Sequence, residues 1–212
     1  KIEGIAKIVL NRPKSYNAFS MDMLNGWYKA LVDAGNDKKV RVIVITGAGK
    51  SFCAGGDIKA LAAGRGFLHL NNEDTIEELS PVEIREMLSG IIHRIPLTIG
   101  QLEKPVIAAI NGPAMGAGLD MALACDIRIA SEEAILSESY INLGITPGNG
   151  GAYFLPRLVG VAKALELLWT GDRISAAEAL RIGLVNRVVP AHQLEEETLN
   201  LARQIARKSP QV

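Results

Sequence analysis

Short apolar segments rich in β-branched residues alternate along the chain with longer segments whose apolar positions recur at helical spacing. The short segments predict strands at residues 5–11, 40–46, 106–110, 127–130 and 135–136. The longer segments predict helices at residues 20–36, 84–94, 118–125, 162–170, 176–182 and 194–208. Strands that alternate with helices indicate an α/β fold with a largely parallel sheet covered by helices. Periodicity alone does not separate a doubly wound sheet from other arrangements of this class.

Residues 105–126 form the most informative segment of the sequence. A buried strand at 106–110 is followed by a break at 111–113 and by a Gly-Ala-Gly step at 116–118. A helix of small and apolar residues comes next, and it carries one acid, Asp120. A glycine-rich turn that leads into a helix directs several unpaired backbone N–H groups at one point. Such a point can hold a phosphate or stabilise an oxyanion that forms during a reaction.

A second glycine-rich turn, Phe-Cys-Ala-Gly-Gly-Asp at residues 52–57, follows the strongly apolar strand at 40–46. Together the two turns can supply one N–H each to a single oxygen atom. A simpler interpretation is that the glycines of these turns, at positions 55, 56, 116 and 118, only permit tight bends of the backbone. The presence of both turns in this order favours the functional interpretation.

These two turns and four further segments resemble the enoyl-CoA hydratase/isomerase (crotonase) family. The further segments are Asn-Arg-Pro-Lys-Ser-Tyr-Asn-Ala at 11–18, Leu-Gly-Ile-Thr-Pro-Gly-Asn-Gly-Gly at 143–151, and residues 168–179 and 183–190. The resemblance covers nearly the whole chain, and it rests on the order and spacing of the segments rather than on any single one.

The resemblance implies a crotonase-like (ClpP/crotonase) fold, a spiral of β-β-α repeats, over residues 1–212 as a single acyl-CoA-processing domain. It also implies assembly into a homotrimer or a homohexamer. Relative to the family, the first strand begins partway and the sequence stops where further C-terminal helices usually follow. We therefore expect part of the N-terminal strand and the C-terminal helical segment to be missing from this sequence.

By similarity to the family, the backbone N–H groups of Gly56 and Ala117 form an oxyanion hole for a thioester enolate. Many relatives carry glycine at the position of Ala117, a mild departure because the contact is made by the main chain. The resemblance places coenzyme A along a surface formed by Arg12, Lys14, Ala18, Ala54, Asp57, Ile58 and Gly116. Arg12 and Lys14 are the candidates to meet phosphates, although a solvated surface charge is nearly as good an interpretation of Lys14.

The acid–base residues depart from the family pattern, in which two glutamates hold one water. Asp120 aligns with the first glutamate and can still act as a base. Tyr140 aligns with the second, and its ordinary pKa of about 10 makes it a poor general base at neutral pH. It can donate a hydrogen bond or act as an acid. Glu138 lies two residues earlier, and an extended backbone would put it on the same side as Tyr140; a surface glutamate is the other interpretation.

Hydration of a 2-enoyl-CoA to a 3-hydroxyacyl-CoA is the default function that the resemblance implies. Double-bond isomerisation is close behind, because one base that removes a proton and returns it elsewhere is enough. Acyl-CoA hydrolysis on the same scaffold is a further alternative. A member of the family that has lost catalysis and acts as a binding subunit is the alternative from a different class.

Composition narrows the possible partners. The 23 basic and 23 acidic residues cancel, which argues against a nucleic-acid or membrane-surface binder. No apolar run reaches membrane-spanning length and no secretory signal opens the sequence, so we expect a cytoplasmic protein with reduced, buried cysteines. The three histidines lack metal-ligand spacing, which predicts no metal site. Coenzyme A enters only as part of the substrate, and no separate cofactor is expected.

Overall fold

The computed structural model describes residues 3–57, 80, 82, 85–86 and 88–209. The strands are β1 (Ile5–Leu10), β2 (Val42–Gly47), β3 (Val106–Ile110), β4 (Ala114–Met115), β5 (Ile127–Ser131), β6 (Ile135–Ser137), β7 (Ile174–Ser175) and β8 (Arg187–Val189). A five-stranded sheet has the order β1-β2-β3-β5-β8, and every neighbouring pair in it is parallel. A smaller sheet has the order β4-β6-β7, with β4 and β6 parallel and β6 and β7 antiparallel.

The helices are α1 (Met21–Asn36), α2 (Arg94–Gln101), α3 (Ala117–Leu123), α4 (Gly151–Val159), α5 (Val161–Thr170), α6 (Ala176–Arg181) and α7 (Leu194–Ala206). Strand β3 of the large sheet is followed by β4 of the small sheet and then by α3. Strand β5 is followed in the same way by β6 and, after a 3₁₀ turn at Ser139–Leu143, by α4. The order β-β-α therefore occurs twice in succession between residues 106 and 159.

The large sheet is buried on both of its faces. In β2, Ile43 and Ile45 belong to a core cluster with side chains of α1 and α3, whereas Val42 and Val44 belong to a second cluster with Leu194 of α7. A parallel sheet covered on both faces explains why β2 and β3 are continuous apolar runs. The open ends of the strands are therefore where polar chemistry can be placed.

Most predicted elements are confirmed, and β3 has the predicted bounds. Within the predicted helix at 84–94, Arg85 and Glu86 are α-helical and Leu88–Ile92 forms a π-helical turn, so the described residues are helical but not one regular α-helix. Helix α2 begins at Arg94 and tolerates Pro96 in its first turn, where the missing N–H costs no hydrogen bond. Helix α4 was not predicted, because Gly150, Gly151 and Pro156 are typical of a loop.

Both cysteines are buried and unbridged, as predicted, and burial raises the pKa of each thiol to about 12. Within the described ranges, no helix is long and apolar enough to cross a membrane. The same residues contain no group of three or more His, Cys, Asp or Glu side chains arranged to hold a metal ion.

Candidate active site

The two glycine-rich turns meet at the carboxyl ends of β2 and β3. Cys53 and Ala114 form a parallel bridge, and the backbone N–H of Met115 donates to the carbonyl oxygen of Cys53 at 3.0 Å. A methyl group placed on Gly55 would lie 2.7 Å from the carbonyl oxygen of Met115 and 3.1 Å from the backbone nitrogen of Ala117. Since Gly55 also has φ +77°, only glycine fits at this contact between the turns.

Gly56 follows Gly55 in the first turn, and the backbone nitrogen of Ala117 lies at the contact with Gly55. Gly116 precedes Ala117 with φ 47° and ψ −121°, and its own N–H is used by the carbonyl oxygen of Ser137 at 2.8 Å. Neither Gly56 nor Ala117 donates its N–H in a hydrogen bond to another residue that the structure describes. The structure therefore brings into contact the two turns that carry these N–H groups, while the oxyanion hole stays a prediction.

Asn17 holds the segment at 12–19 against the first turn. It is fully buried, and its Nδ2 donates to the carbonyl oxygens of Ala48 at 3.0 Å and Ser51 at 2.7 Å. Its Oδ1 accepts from the backbone N–H of Arg12 at 2.8 Å. The backbone N–H of Phe19 donates to the carbonyl oxygen of Gly55 at 2.7 Å. These bonds fix the shape of the turn from both sides.

The predicted coenzyme A surface is assembled only in part by the described residues. Ala18 is buried, Ala54 and Asp57 are half-buried, and Lys14 is exposed on a 3₁₀ turn at Pro13–Ser15. The guanidinium of Arg12 donates to the carbonyl oxygens of Ala18 at 2.5 Å and Phe19 at 3.1 Å, and it lies 3.6 Å from a carboxylate oxygen of Asp57. Arg12 therefore also organises the loop. Ile58 lies outside the described residues.

Asp120 and Tyr140 are in direct contact, although they are separated by 20 positions in the chain. The hydroxyl of Tyr140 donates to Oδ2 of Asp120 at 2.6 Å, and both side chains are buried. Asn149 donates to the same two groups: its Nδ2 bonds to the hydroxyl of Tyr140 at 2.9 Å and its backbone N–H to Oδ2 of Asp120 at 3.2 Å. The three residues form a buried hydrogen-bonded chain that ends on a carboxylate.

The environment of Asp120 raises the pKa of its carboxyl to about 6. Loss of hydration on burial is the main cause, since it disfavours the charged form. The hydrogen bonds from Tyr140 and Asn149, and the close approach of Glu138 and of the backbone N–H of Gly151, act in the opposite direction. A carboxyl with a pKa near 6 is still ionised at neutral pH and is a stronger base than an ordinary aspartate.

Glu138 is not a surface residue, which corrects one of the two interpretations left open by the sequence. Its side chain is 2 % exposed, and neither carboxyl oxygen makes a hydrogen bond of ordinary geometry with a described residue. The backbone at Glu138 is not extended, because β6 ends at Ser137 and Glu138, with φ −83° and ψ 60°, directly precedes the 3₁₀ turn at Ser139–Leu143. The carboxyl groups of Glu138 and Asp120 both lie against Gly151.

Helix α4 begins at this point. A methyl group placed on Gly151 would lie 2.3 Å from Oδ1 of Asp120 and 3.0 Å from each carboxyl oxygen of Glu138. Glycine is therefore required for the helix to approach the two acids so closely. The N-terminus of α4 carries a partial positive charge, which favours an anion at Asp120.

Asn149, Gly151 and Asn17 were not singled out from the sequence. Asn149 and Gly151 belong to a segment that contributes to the family resemblance, but their contacts depend on α4, which was not predicted. Cavity size would not have found the site either. A cavity of about 250 Å³ lies between β1, β2 and α7, on the opposite face of the large sheet, and none of the residues around Asp120 lines it.

The fold and the site together define an α/β enzyme with a buried acid beside two convergent backbone turns. The sequence profile of the family described as enoyl-CoA hydratase/isomerase matches residues 1–212. The chain is 41% identical over 209 residues to a crotonyl-CoA hydratase from Syntrophomonas wolfei, covering 98% of this chain and 74% of that protein. The chain belongs to the enoyl-CoA hydratase/isomerase family.

Solved structures agree with this assignment. An enoyl-CoA hydratase from Bacillus anthracis superposes with a TM-score of 0.83 at 41% identity, covering 98% of this chain and 74% of that one. A monofunctional enoyl-CoA isomerase from Mycobacterium smegmatis superposes with a TM-score of 0.77 at 34% identity, covering 98% and 82%. The crotonase-like fold expected from the sequence is confirmed, as is the expectation of an enzyme of this family.

Proposed function

We propose that the protein adds water across the double bond of a 2-enoyl-CoA to give a 3-hydroxyacyl-CoA. The observation that carries this proposal is the buried carboxyl of Asp120, which lies three residues beyond Ala117 on the helix that starts at the contact with Gly55. The similarity to a crotonyl-CoA hydratase supports the same reaction.

In the proposed reaction, the oxygen of water attacks the β carbon of the substrate while Asp120 takes the proton of that water. The electron pair of the double bond moves to the thioester oxygen, which becomes an enolate. The N–H groups of Gly56 and Ala117 stabilise that oxygen; the loss of one such donor typically costs about 3–4 kcal/mol in barrier height. Asp120 then returns its proton to the α carbon, and the carbonyl is restored.

Tyr140 orients Asp120 in this proposal. Its hydroxyl is already committed to Oδ2 of Asp120, and burial together with the neighbouring charge of Asp120 raises its pKa far above the ordinary value. It is therefore neutral at neutral pH. It contributes a hydrogen bond and not a second base.

Other parts of the proposal concern binding and context. The surface from Arg12 and Lys14 to Ala54, Asp57 and Gly116 binds the coenzyme A portion of the substrate, together with Ala18 and Ile58. No further cofactor takes part. The protein is cytoplasmic and assembles as a homotrimer or a homohexamer. These statements are supported by the family resemblance.

Double-bond isomerisation is the second candidate, and one observation favours it. Hydratases of the family carry glutamates at two positions, and this chain has a carboxyl group at the first of them, Asp120, but a tyrosine at the second, Tyr140. A monofunctional isomerase is also among the similar structures. A single base is sufficient for a shift of the double bond, because the proton it removes from one carbon can be returned to another.

The test is incubation of the purified protein with 2-enoyl-, 3-enoyl- and 3-hydroxyacyl-CoAs, followed by chromatography and mass spectrometry. A product heavier by one water supports hydration. A new peak of unchanged mass from a 3-enoyl-CoA, without hydration, replaces the proposal with isomerisation. Release of free CoA above the blank indicates hydrolysis. Binding of the thioesters without any reaction favours a binding subunit.

Asp120→Asn tests the assigned base. We expect turnover to be lost while the thioester still binds, because the amide keeps the shape of the carboxyl but cannot take a proton. Asp22→Asn is the matched control, since Asp22 is exposed in the first turn of α1. Retained turnover in Asp120→Asn would remove Asp120 from the mechanism.

A further inference from the structure

Glu138 is a buried acid for which the proposed reaction has so far given no role. Its two carboxyl oxygens and Oδ1 of Asp120 are all buried, and none of them makes a hydrogen bond of ordinary geometry within the described residues. Unsatisfied buried carboxyl oxygens are rare, because burial without a partner costs free energy. Three such atoms in one place therefore require an explanation.

The three atoms all lie against Gly151. The position that a methyl group on Gly151 would occupy is 2.3 Å from Oδ1 of Asp120 and 3.0 Å from both carboxyl oxygens of Glu138. Two ionised carboxylates cannot satisfy each other, because each is only an acceptor. A single proton on one of them turns the contact into a strong charge-assisted hydrogen bond.

The surroundings decide which of the two carboxyls holds the proton. Asp120 receives hydrogen bonds from Tyr140 and Asn149 and faces the N-terminus of α4, and all of these favour its charged form. Glu138 has no such donors, and a small cavity beside it is lined mainly by leucines, among them Leu119 and Leu155. The charge therefore belongs on Asp120 and the proton on Glu138.

We infer that Glu138 is a positioning residue for Asp120: it remains a neutral carboxylic acid at neutral pH and donates a hydrogen bond to Oδ1 of Asp120. The hydrogen bond stabilises the ionised form of Asp120 and fixes the orientation of its carboxylate. This role in turnover rests on the proposed function, whereas the protonation of Glu138 does not.

The titratable groups that face Glu138 agree with this assignment. Helix α3 contributes Asp120, the adjoining 3₁₀ turn contributes Tyr140, and the segment before β7 contributes Asp172, which is exposed and lines the same small cavity. Helix α4 contributes only the backbone of Gly151. Burial and the charge of Asp120 raise the pKa of Glu138 well above its usual range, and no described cation opposes them.

The first test is the dependence of kcat/KM on pH in Glu138→Gln and Glu138→Leu. The low-pH limb of the wild-type profile reports the ionisation of Asp120. Glutamine still donates an N–H to Asp120, so we expect the low-pH limb of the Glu138→Gln profile to have the same midpoint as that of the wild type. Leucine removes the donor, so we expect its limb to move upwards by about one pH unit.

Other outcomes of this test overturn the inference. If Glu138 were ionised, both substitutions would remove a negative charge and the limb would move downwards in both. If Glu138 did not contact Asp120, neither limb would move. Glu133→Gln and Glu133→Leu are matched controls, because Glu133 is exposed in the turn between β5 and β6. Leucine is expected to fold at position 138 because leucines already surround it.

A second measurement does not depend on turnover. An infrared spectrum of the wild type at pH 8 should contain the C=O band of a protonated carboxyl group, and the band should be absent from Glu138→Gln but present in Glu133→Gln. A wild-type spectrum without the band, or a band that persists in Glu138→Gln, would overturn the inference. If no acyl-CoA reacts but the band behaves as expected, the proposed function fails and the protonation of Glu138 stands.

Discussion

Replacement of Tyr140 by phenylalanine separates the two roles that a tyrosine can have at this position. The ring and its packing are kept, and only the hydroxyl is removed. That hydroxyl donates to Oδ2 of Asp120 at 2.6 Å and accepts from Nδ2 of Asn149 at 2.9 Å. The backbone N–H of Asn149 still donates to Oδ2, so Asp120 keeps one of its two donors at that oxygen.

The size of the effect follows from these contacts. A hydrogen bond to a charged acceptor contributes about 1.5–3 kcal/mol, and one pKa unit corresponds to about 1.4 kcal/mol. Since the bond from Tyr140 favours the ionised form of Asp120, its loss should raise the pKa of that carboxyl by about one to two units. From the wild-type pKa of about 6, the base would then be ionised only above roughly pH 7 to 8.

The assay is kcat/KM for the best substrate of the panel at half-unit pH steps, for the wild type and Tyr140→Phe. We expect the low-pH limb of Tyr140→Phe to move to higher pH. On the plateau above that limb, we expect kcat/KM of the two enzymes to agree within a few-fold. Tyr153→Phe is the control, because Tyr153 is exposed on α4. A limb that does not move would refute the idea that Tyr140 acts through Asp120. A loss of rate at every pH would show that Tyr140 acts on the substrate itself.

Three further substitutions test the stability of the site, each by urea unfolding. Asp120→Asn should be more stable than the wild type by up to about 3 kcal/mol at pH 8 and by less at pH 4. The reason is that protonation of Asp120 stabilises the wild-type fold below the ordinary carboxyl pKa, and this stabilisation is lost as the pH rises through about 6. An equal difference in the free energy of unfolding at both pH values would contradict this. Gly151→Ala should destabilise the protein despite a gain in helix propensity of about 1 kcal/mol, because its methyl group would lie 2.3 Å from a carboxylate oxygen. Gly148→Ala is the control and should be tolerated, since a methyl group there has open space. Asn17→Ala should lower the free energy of unfolding by about 3 kcal/mol or more, because its buried hydrogen bonds are lost. Asn11 is exposed and serves as the control, and a similar loss of stability in Asn11→Ala would contradict this explanation.

The parts of the fold that could be predicted are those decided by local sequence. The run Val-Ile-Ala-Ala-Ile of β3 stands between Pro105 and an Asn-Gly-Pro break, so its bounds as well as its type were predicted. Helix α1 begins after Ser20, whose side chain caps the helix by accepting from the N–H of Met23. Helix α4 could not be predicted in the same way, because its first residue is a glycine that is needed for the approach to Asp120.

The candidate site shows the same limit. The glycine turns and Asp120 have local signatures, and they were found from the sequence. The contact between Asp120 and Tyr140 depends on how β6 and α4 pack against α3, and no short segment contains that information. The position of Glu138 could not be decided from the sequence, because the rule of alternating sides applies to a strand and the strand ends at Ser137. Burial of an acid is decided by tertiary packing and has no signal in residue spacing.

The site has three acidic groups, yet our assignment gives it a single negative charge at neutral pH. A second ionised carboxylate beside Asp120 would repel it; two unit charges 4 Å apart interact by about 4 kcal/mol at an effective dielectric constant near 20. The same charge would oppose an enolate forming at Gly56 and Ala117, which is the step that the two backbone donors favour. A neutral Glu138 and a neutral Tyr140 can instead each donate a hydrogen bond to Asp120. A shorter acid at 120 and a tyrosine at 140 thus leave the site with one base, held by two neutral donors, and with no second charge to compete with the enolate.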